Sequence, residues 1–217
     1  MATHAHGPGR ARLDALLDAR NEHPERLASI DAVIAAEFAQ THAVLVLDMS
    51  GFSRLVARYG TTHYLAMIRR MQTTAVPMVQ NHGGRLVKQE ADNLFCVFRT
   101  VDQAVAGARG INGAFAEANR FLPEDWDIHV SIGIGFGEVL MIDECDMFGH
   151  EMNLASKLGE DVALAGQVLL TEAAHAALAT AESATFDEAW FGRLRVSFWR
   201  LQRTDAVVPA EQLRGPA

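Results

Sequence analysis

The sequence predicts an α+β fold on a β-α-β-β-α-β core, and three stretches carry that expectation. Residues 43–48 form an apolar run that ends in a single carboxylate, Asp48. The stretch RLVKQEADNLFCVF (85–98) reads as two short strands around a turn near Glu90-Ala91. In DIHVSIGIGFG (127–137), His129, Ser131, Gly133 and Gly135 alternate with Ile128, Val130, Ile132 and Ile134, the period of a strand. Helical stretches separate these strands, and the resulting order is the ferredoxin-like split unit.

Each element has its own signal. Residues 1 to 9 read as a disordered tail, and Leu13, Leu16 and Leu17 mark a short helix. A second helix, 25–40, carries Leu27, Ile30, Val33, Ile34 and Phe38 at helical spacing. After strand 43–48 the Gly51-Phe52-Ser53 turn leads into a long helix ending near Asn81. Leu65, Ile68, Met71, Ala75 and Val79 mark its buried face, and Pro77 predicts a kink. Gly83 and Gly84 suit a left-handed cap. Further helices are expected over 101–121 and 149–160, then a strand at QVLLT, a short helix from Thr171, and strands 186–191 and 194–201. Without an internal repeat or a Ser/Gly linker, the chain reads as one domain, 41–203, with an N-terminal tail and helical extension, 1–40, and a C-terminal tail, 204–217.

Composition narrows the function. The net charge is −8, from 19 Lys plus Arg against 27 Asp plus Glu, and no basic block is dense enough to track a nucleic-acid backbone. An anionic ligand therefore needs local help from metal ions or backbone amides. Cys96 and Cys145 form no CxxC, which fits reduced thiols in the cytoplasm. The nine histidines are scattered, with no HxxxH or HExxH. No apolar run approaches the roughly 18 residues of a membrane span.

Three blocks in order then resemble the class III nucleotidyl cyclase catalytic domain, the adenylate/guanylate cyclase family. LDMSGFS is similar to its D-x-x-G-F-[ST] block, and GGRLVKQEADNLFCVF to its G-G-x-x-[VI]-K-x-x-G-D hairpin. CDMFGHEMNLASKLGEDVALAGQVLLT is similar to its D-x-[WF]-G-x-x-V-N-x-A-x-R helix and the A-x-x-G-x-[IV] that follows. The resemblance covers about 41–178 and implies the cyclase type of the ferredoxin-like core. It also implies attack of a ribose 3′-hydroxyl on the α-phosphorus of a nucleoside triphosphate, with pyrophosphate leaving.

By this resemblance Asp48 and Asp92 are ligands of two divalent ions, Mg²⁺ or Mn²⁺, and Gly51 and Phe52 lead the backbone to the triphosphate. Lys88 and Asp146 fall at base-reading positions, where a donor and an acceptor suit the N1 and N6 of adenine and point to ATP. Asn153 orients the ribose, and Lys157 stands where the family has an arginine that stabilises charge on the phosphate. Since metal and base residues serve opposite halves of a site shared across a two-fold, a homodimer is implied.

Plainer roles stay open: Asp48 as a helix cap, Asp92 as a turn residue, Asp146 as a cap before Gly149, and Lys157 on a solvated face. The chain also departs from the pattern. Ala91 replaces a glycine, Glu90 an apolar residue, and Lys157 the arginine, while Arg193 or Arg195 is left to meet the triphosphate tail. A cyclase-homology domain without turnover and a cyclase using another base are the alternatives.

Overall fold

The computed structural model describes residues 7–50, 52–123 and 126–202, the side chains of 52–57 excepted. Two N-terminal helices, α1 (Pro8–Glu22) and α2 (Leu27–Phe38), precede strand β1 (Ala39–Met49). Helix α3 (Phe52–Asn81) then leads to the hairpin β2 (Arg85–Glu90) and β3 (Asn93–Phe98), followed by α4 (Val101–Asn119) and β4 (Val130–Ile142). The chain continues through β5 (Asp146–Phe148), α5 (His150–Lys157), β6 (Val168–Thr171), α6 (Glu172–Ala176), β7 (Ala184–Phe191) and β8 (Leu194–Leu201). The expected β-α-β-β-α-β order is β1-α3-β2-β3-α4-β4.

One sheet runs in the order β2-β3-β1-β4-β6-β8-β7, with β5 paired to β4. β1 lies at its centre, antiparallel to β3 and β4, and this alternation sorts its side chains to two layers. Ala43, Leu45, Leu47 and Met49 join Met71, Ala75, Ala104, Ile111 and Phe115 in the core under α3 and α4. Val44 and Val46 face the other way, onto Met152 and Ala155 of α5. Asp48 continues that second row and so lies on the α5 side.

Helix α4 starts where Thr100 accepts a hydrogen bond from the Gln103 amide, with Asp102 in its first turn. Gly83 follows α3 with φ 78°, the left-handed end expected of it. On the far side, α5 comes so close to β4 that a Cβ on Gly133 would collide with the Ala155 carbonyl. The helix then widens into a π turn over Leu158–Val162. Such turns are rare and cluster at functional sites.

Several expectations are corrected. The tail was expected to run to about residue 9, and α1 begins at Pro8, a favoured first helical residue. Leu27 and Val33 are half-exposed, and α2 buries Ile30, Ile34 and Phe38 against Leu13 and Leu16. In α3 the helical geometry breaks at Gly60 (φ 80°), whereas Pro77 stays within the helix. The buried stripe runs through Met67, Met71, Ala75 and Val79, with Tyr64 and Ile68 packed beside it, so Leu65 points outward at 57% exposure. The strand expected to stop at 137 continues to Ile142 because β5 folds back to pair with it.

Candidate active site

Asp48 sits one residue from the end of β1, opposite Ser131 of β4. Asp92 lies in the two-residue turn between Glu90 and Asn93, which are paired across the β2–β3 hairpin. The turn bends sharply: Ala91 holds φ 52°, a left-handed conformation in which its Cβ is strained. The missing glycine therefore has a real structural cost. Asp92 is 9% exposed, and the Tyr64 hydroxyl donates a hydrogen bond to its carboxylate.

Burial and neighbouring charge act on both carboxylates to different degrees. Asp48 is pushed up to about 7, first by burial, then by the nearby charges of Asp92, Glu160 and Asp161. Burial also raises Asp92, against its own backbone hydrogen bond and that from Tyr64. Glu160 on the π turn is raised by burial, by Asp161, and by Glu90 and Asp92, with only Lys157 opposing. At neutral pH this corner is short of positive charge. Its donors are carboxylate oxygens, the chemistry that suits Mg²⁺ or Mn²⁺. Among the described residues, no group of three or more His, Cys, Asp or Glu is arranged to hold a metal ion. An ion held by few carboxylates, completed by phosphate and water, is within the chemistry of such a corner.

The base-reading candidates form a second corner. A bulge between Leu86 and Lys88 shifts the β2 register and re-aims the Lys88 side chain. Its Nζ lies 2.9 Å from Asp146 Oδ1 and 2.7 Å from Glu90 Oε1. Burial alone would lower the Lys88 ammonium, but hydrogen bonds to Glu90 and Asp146 outweigh it and raise its pKa. Asp146 does not cap α5, as the plainer reading had it. It starts β5, paired with Ile142, and accepts a hydrogen bond from the Met147 amide at 2.9 Å.

Asn153 and Lys157 lie on α5, four residues apart and so on one face. Asn153 is exposed, while the Lys157 Nζ rests 4.8 Å from the Phe191 ring centre. Of the arginines expected to meet a triphosphate tail, Arg195 pairs with Glu188 at 3.5 Å. Gly51 lies outside the described residues, and so does the Phe52 side chain.

Sequence reasoning missed three neighbours: Tyr64 beside Asp92, Glu160 beside the aspartates, and Arg10 beside Asp146. A one-residue shift at the start of the α3 stripe, from Leu65 to Tyr64, was the only signal for Tyr64. Glu160 reaches the site through the π turn, which helical periodicity cannot foresee. Arg10 lies 136 residues from its partner, just past the expected tail, at 3.5 Å from Asp146 Oδ2.

The profile described as "Adenylate and Guanylate cyclase catalytic domain" matches residues 34–197. The chain belongs to that family. A protein of Rhizobium meliloti (strain 1021) named "Putative adenylate cyclase 3" is 32% identical over 133 residues, 61% of this chain and 22% of that one. Serine/threonine-protein kinase pkn2 of Myxococcus xanthus is 29% identical over 66% of this chain and 17% of its own length. This cyclase domain thus spans about a fifth of the curated relatives it matches.

Among solved structures, an adenylate/guanylate cyclase/hydrolase from Silicibacter pomeroyi has a TM-score of 0.65 and 24% identity, covering 75% of this chain and 96% of that one. The guanylate cyclase domain of RhGC from Catenaria anguillulae, in complex with GTP, has a TM-score of 0.62 and 15% identity, covering 76% and 97%. At such identities the likeness is one of fold, shared by cyclases named for either purine. No helix among the described residues is long and apolar enough to cross a membrane.

Proposed function

We propose that this cyclase domain converts ATP to 3′,5′-cyclic AMP and pyrophosphate, at sites shared between two copies of the chain. Support for turnover comes from the aspartate corner, where the nearby Asp92 charge adds to the burial that raises Asp48. Two divalent ions, Mg²⁺ or Mn²⁺, would lower the pKa of the ribose 3′-hydroxyl and neutralise the phosphates. Asp48 and Asp92 would hold them, and Tyr64 would keep the Asp92 carboxylate oriented through its hydrogen bond. The new bond would join O3′ to the α-phosphorus, the bond from the α-phosphorus to the bridging oxygen would break to release pyrophosphate, and the 3′-hydroxyl proton would pass to solvent water.

The single observation that favours adenine is the Lys88–Asp146 contact. It sets a donor on β2 beside an acceptor on β5, as the N1 and N6 of adenine require. Guanine would turn its N1–H toward the lysine and its O6 toward the carboxylate, and buried mismatches of this kind discriminate strongly. Asn153 would orient the ribose and Lys157 would stabilise charge on the phosphate, both reaching the partner copy's aspartates. Residues 41–203 would form the catalytic unit, and a cytoplasmic setting fits its free cysteines.

A second reading is a domain that binds nucleotide without turning it over. It is favoured by Lys157, which is seated on the Phe191 ring and is the one charge opposing the rise of Glu160. Incubating the pure protein with each of the four NTPs and Mn²⁺, then separating products, decides between them. Cyclic AMP in excess over the other products is the expected result. Nucleotide binding without any cyclic product would instead establish the second reading.

A further inference from the structure

We propose that Arg10, on the first N-terminal helix, is a third base-reading residue that donates to N7 of adenine; this rests on the reading of Lys88 and Asp146 above. The Asp146 carboxylate is flanked by cations on both sides. Its Oδ1 accepts from Lys88 Nζ and the Met147 amide, each at 2.9 Å, while its Oδ2 faces Arg10 Nη1 at 3.5 Å. The row therefore runs donor, acceptor, donor. One edge of adenine presents the complementary row: N1 accepts, the N6 amine donates, and N7 accepts. Guanine offers N1–H, O6 and N7, and opposes both Lys88 and Asp146. Cytosine satisfies those two with N3 and its amine but turns a C5–H to Arg10.

Arg10 is held in place rather than tethered loosely. The Gly9 and Arg10 amides donate to the two Asp143 oxygens at 2.8 and 2.9 Å, which seats the start of α1 on the β4–β5 turn. Arg10 Nε donates to Asp14 at 3.1 Å, one helical turn on, and this steers the guanidinium toward Asp146. Below it, Leu13 and Leu16 pack with Ile30, Ile34, Phe38 and Ile142, so α1 shares a core with α2 and β4. Phe148 completes the corner. Its ring centre is 5.9 Å from the Arg10 guanidinium and 5.7 Å from Lys88 Nζ, and at 40% exposure it leaves an aromatic surface between the two cations. A planar base stacks well on such a surface.

A substrate lacking one atom tests this. 7-Deaza-ATP replaces N7 with a C–H and keeps N1, N6 and the triphosphate. For the wild-type protein, kcat/KM for ATP should exceed that for 7-deaza-ATP about tenfold or more, the worth of one hydrogen bond from a charged donor. In Arg10→Met, which keeps an apolar stem over Phe148, the ratio should fall close to one. Arg10→Lys should recover part of it. Circular dichroism and melting curves verify that each variant is folded.

An unchanged ratio in Arg10→Met, with ATP still the preferred substrate, overturns the role of Arg10 and leaves the Lys88–Asp146 reading standing. Faster ATP turnover in Arg10→Met at an unchanged ratio also overturns it, and makes α1 a brake on Asp146. Uracil offers an acceptor, donor, acceptor row as well, so an Arg10 effect seen with UTP but not in the ATP ratio overturns it too. Failure of the wild type to use ATP while it cyclises another NTP removes the adenine reading itself.

Discussion

The two corners of the site are built from the same residue types and differ in electrostatic balance. At the base corner, Lys88 is shared by Glu90 and Asp146, and Arg10 lies on the other Asp146 oxygen. At the aspartate corner, Asp92 and Glu160 raise Asp48 and Asp92 raises Glu160, on top of burial, with Lys157 the one opposing charge among those acting on Glu160. The first corner is balanced before any ligand arrives and suits an uncharged heterocycle. The second is unbalanced and suits cations that arrive with a triphosphate. Balance thus distinguishes what each corner receives.

The comparison breaks most sharply if the aspartates are removed. Asp48→Ala and Asp92→Ala should abolish cyclic-nucleotide formation while leaving the melting curve cooperative. Mixing Asp48→Ala with Asn153→Ala protein should restore partial activity, because one site of a heterodimer keeps every residue. Near-wild-type turnover by either aspartate variant would remove the basis of the cation assignment.

Lys157 comes next. Lys157→Ala should lower kcat by about 10²–10³ with little change in KM, as for a donor used mainly in the transition state. Lys157→Arg should be tolerated, since a guanidinium also stacks on the Phe191 ring. Steady-state kinetics on both variants check this, and wild-type kinetics in Lys157→Ala would favour the binding-only reading.

The imbalance should also be visible as stability. A carboxyl whose folded pKa is raised binds its proton more tightly when folded, so stability is greatest when both states are protonated. It falls as pH rises from about 4, where an unfolded aspartate ionises, through about 7, where folded Asp48 does. Without divalent cations, Asp48→Asn should therefore melt higher than wild type at pH 8 and lose that advantage near pH 4. Melting curves across this range test the sign. The smallest effect expected is at the hairpin: Ala91→Gly should stabilise by about 1 kcal/mol, because glycine occupies φ 52° without strain. Denaturant unfolding measures it.

Much of this was legible in the sequence, and the reasons differ by element. The apolar run of β1, the alternation of β4 and the Ile30, Ile34 and Phe38 face of α2 report local pattern, which folding preserves. Asp48, Asp92, Lys88 and Asp146 were found as motif positions, and the fold brings the Lys88 and Asp146 side chains within 2.9 Å of each other. Leu65 was misplaced because two overlapping stripes fit α3, and the break at Gly60 and packing on α4 select the one through Tyr64. Arg10 and Glu160 had no local signal. One depends on a helix docking across the whole chain, the other on a π turn that Gly133 admits by lacking a side chain.

The most direct test of the aspartate corner is a count of bound ions. Mn²⁺ can be titrated into the protein with 3′-deoxy-ATP, which keeps the triphosphate and lacks the attacking hydroxyl, and followed by electron paramagnetic resonance. Wild type should bind two ions per site. Asp48→Asn and Asp92→Asn should each bind fewer, whereas Lys88→Met should keep two once nucleotide is saturating. Two ions in both aspartate variants would contradict the assignment of Asp48 and Asp92 as the residues that hold them.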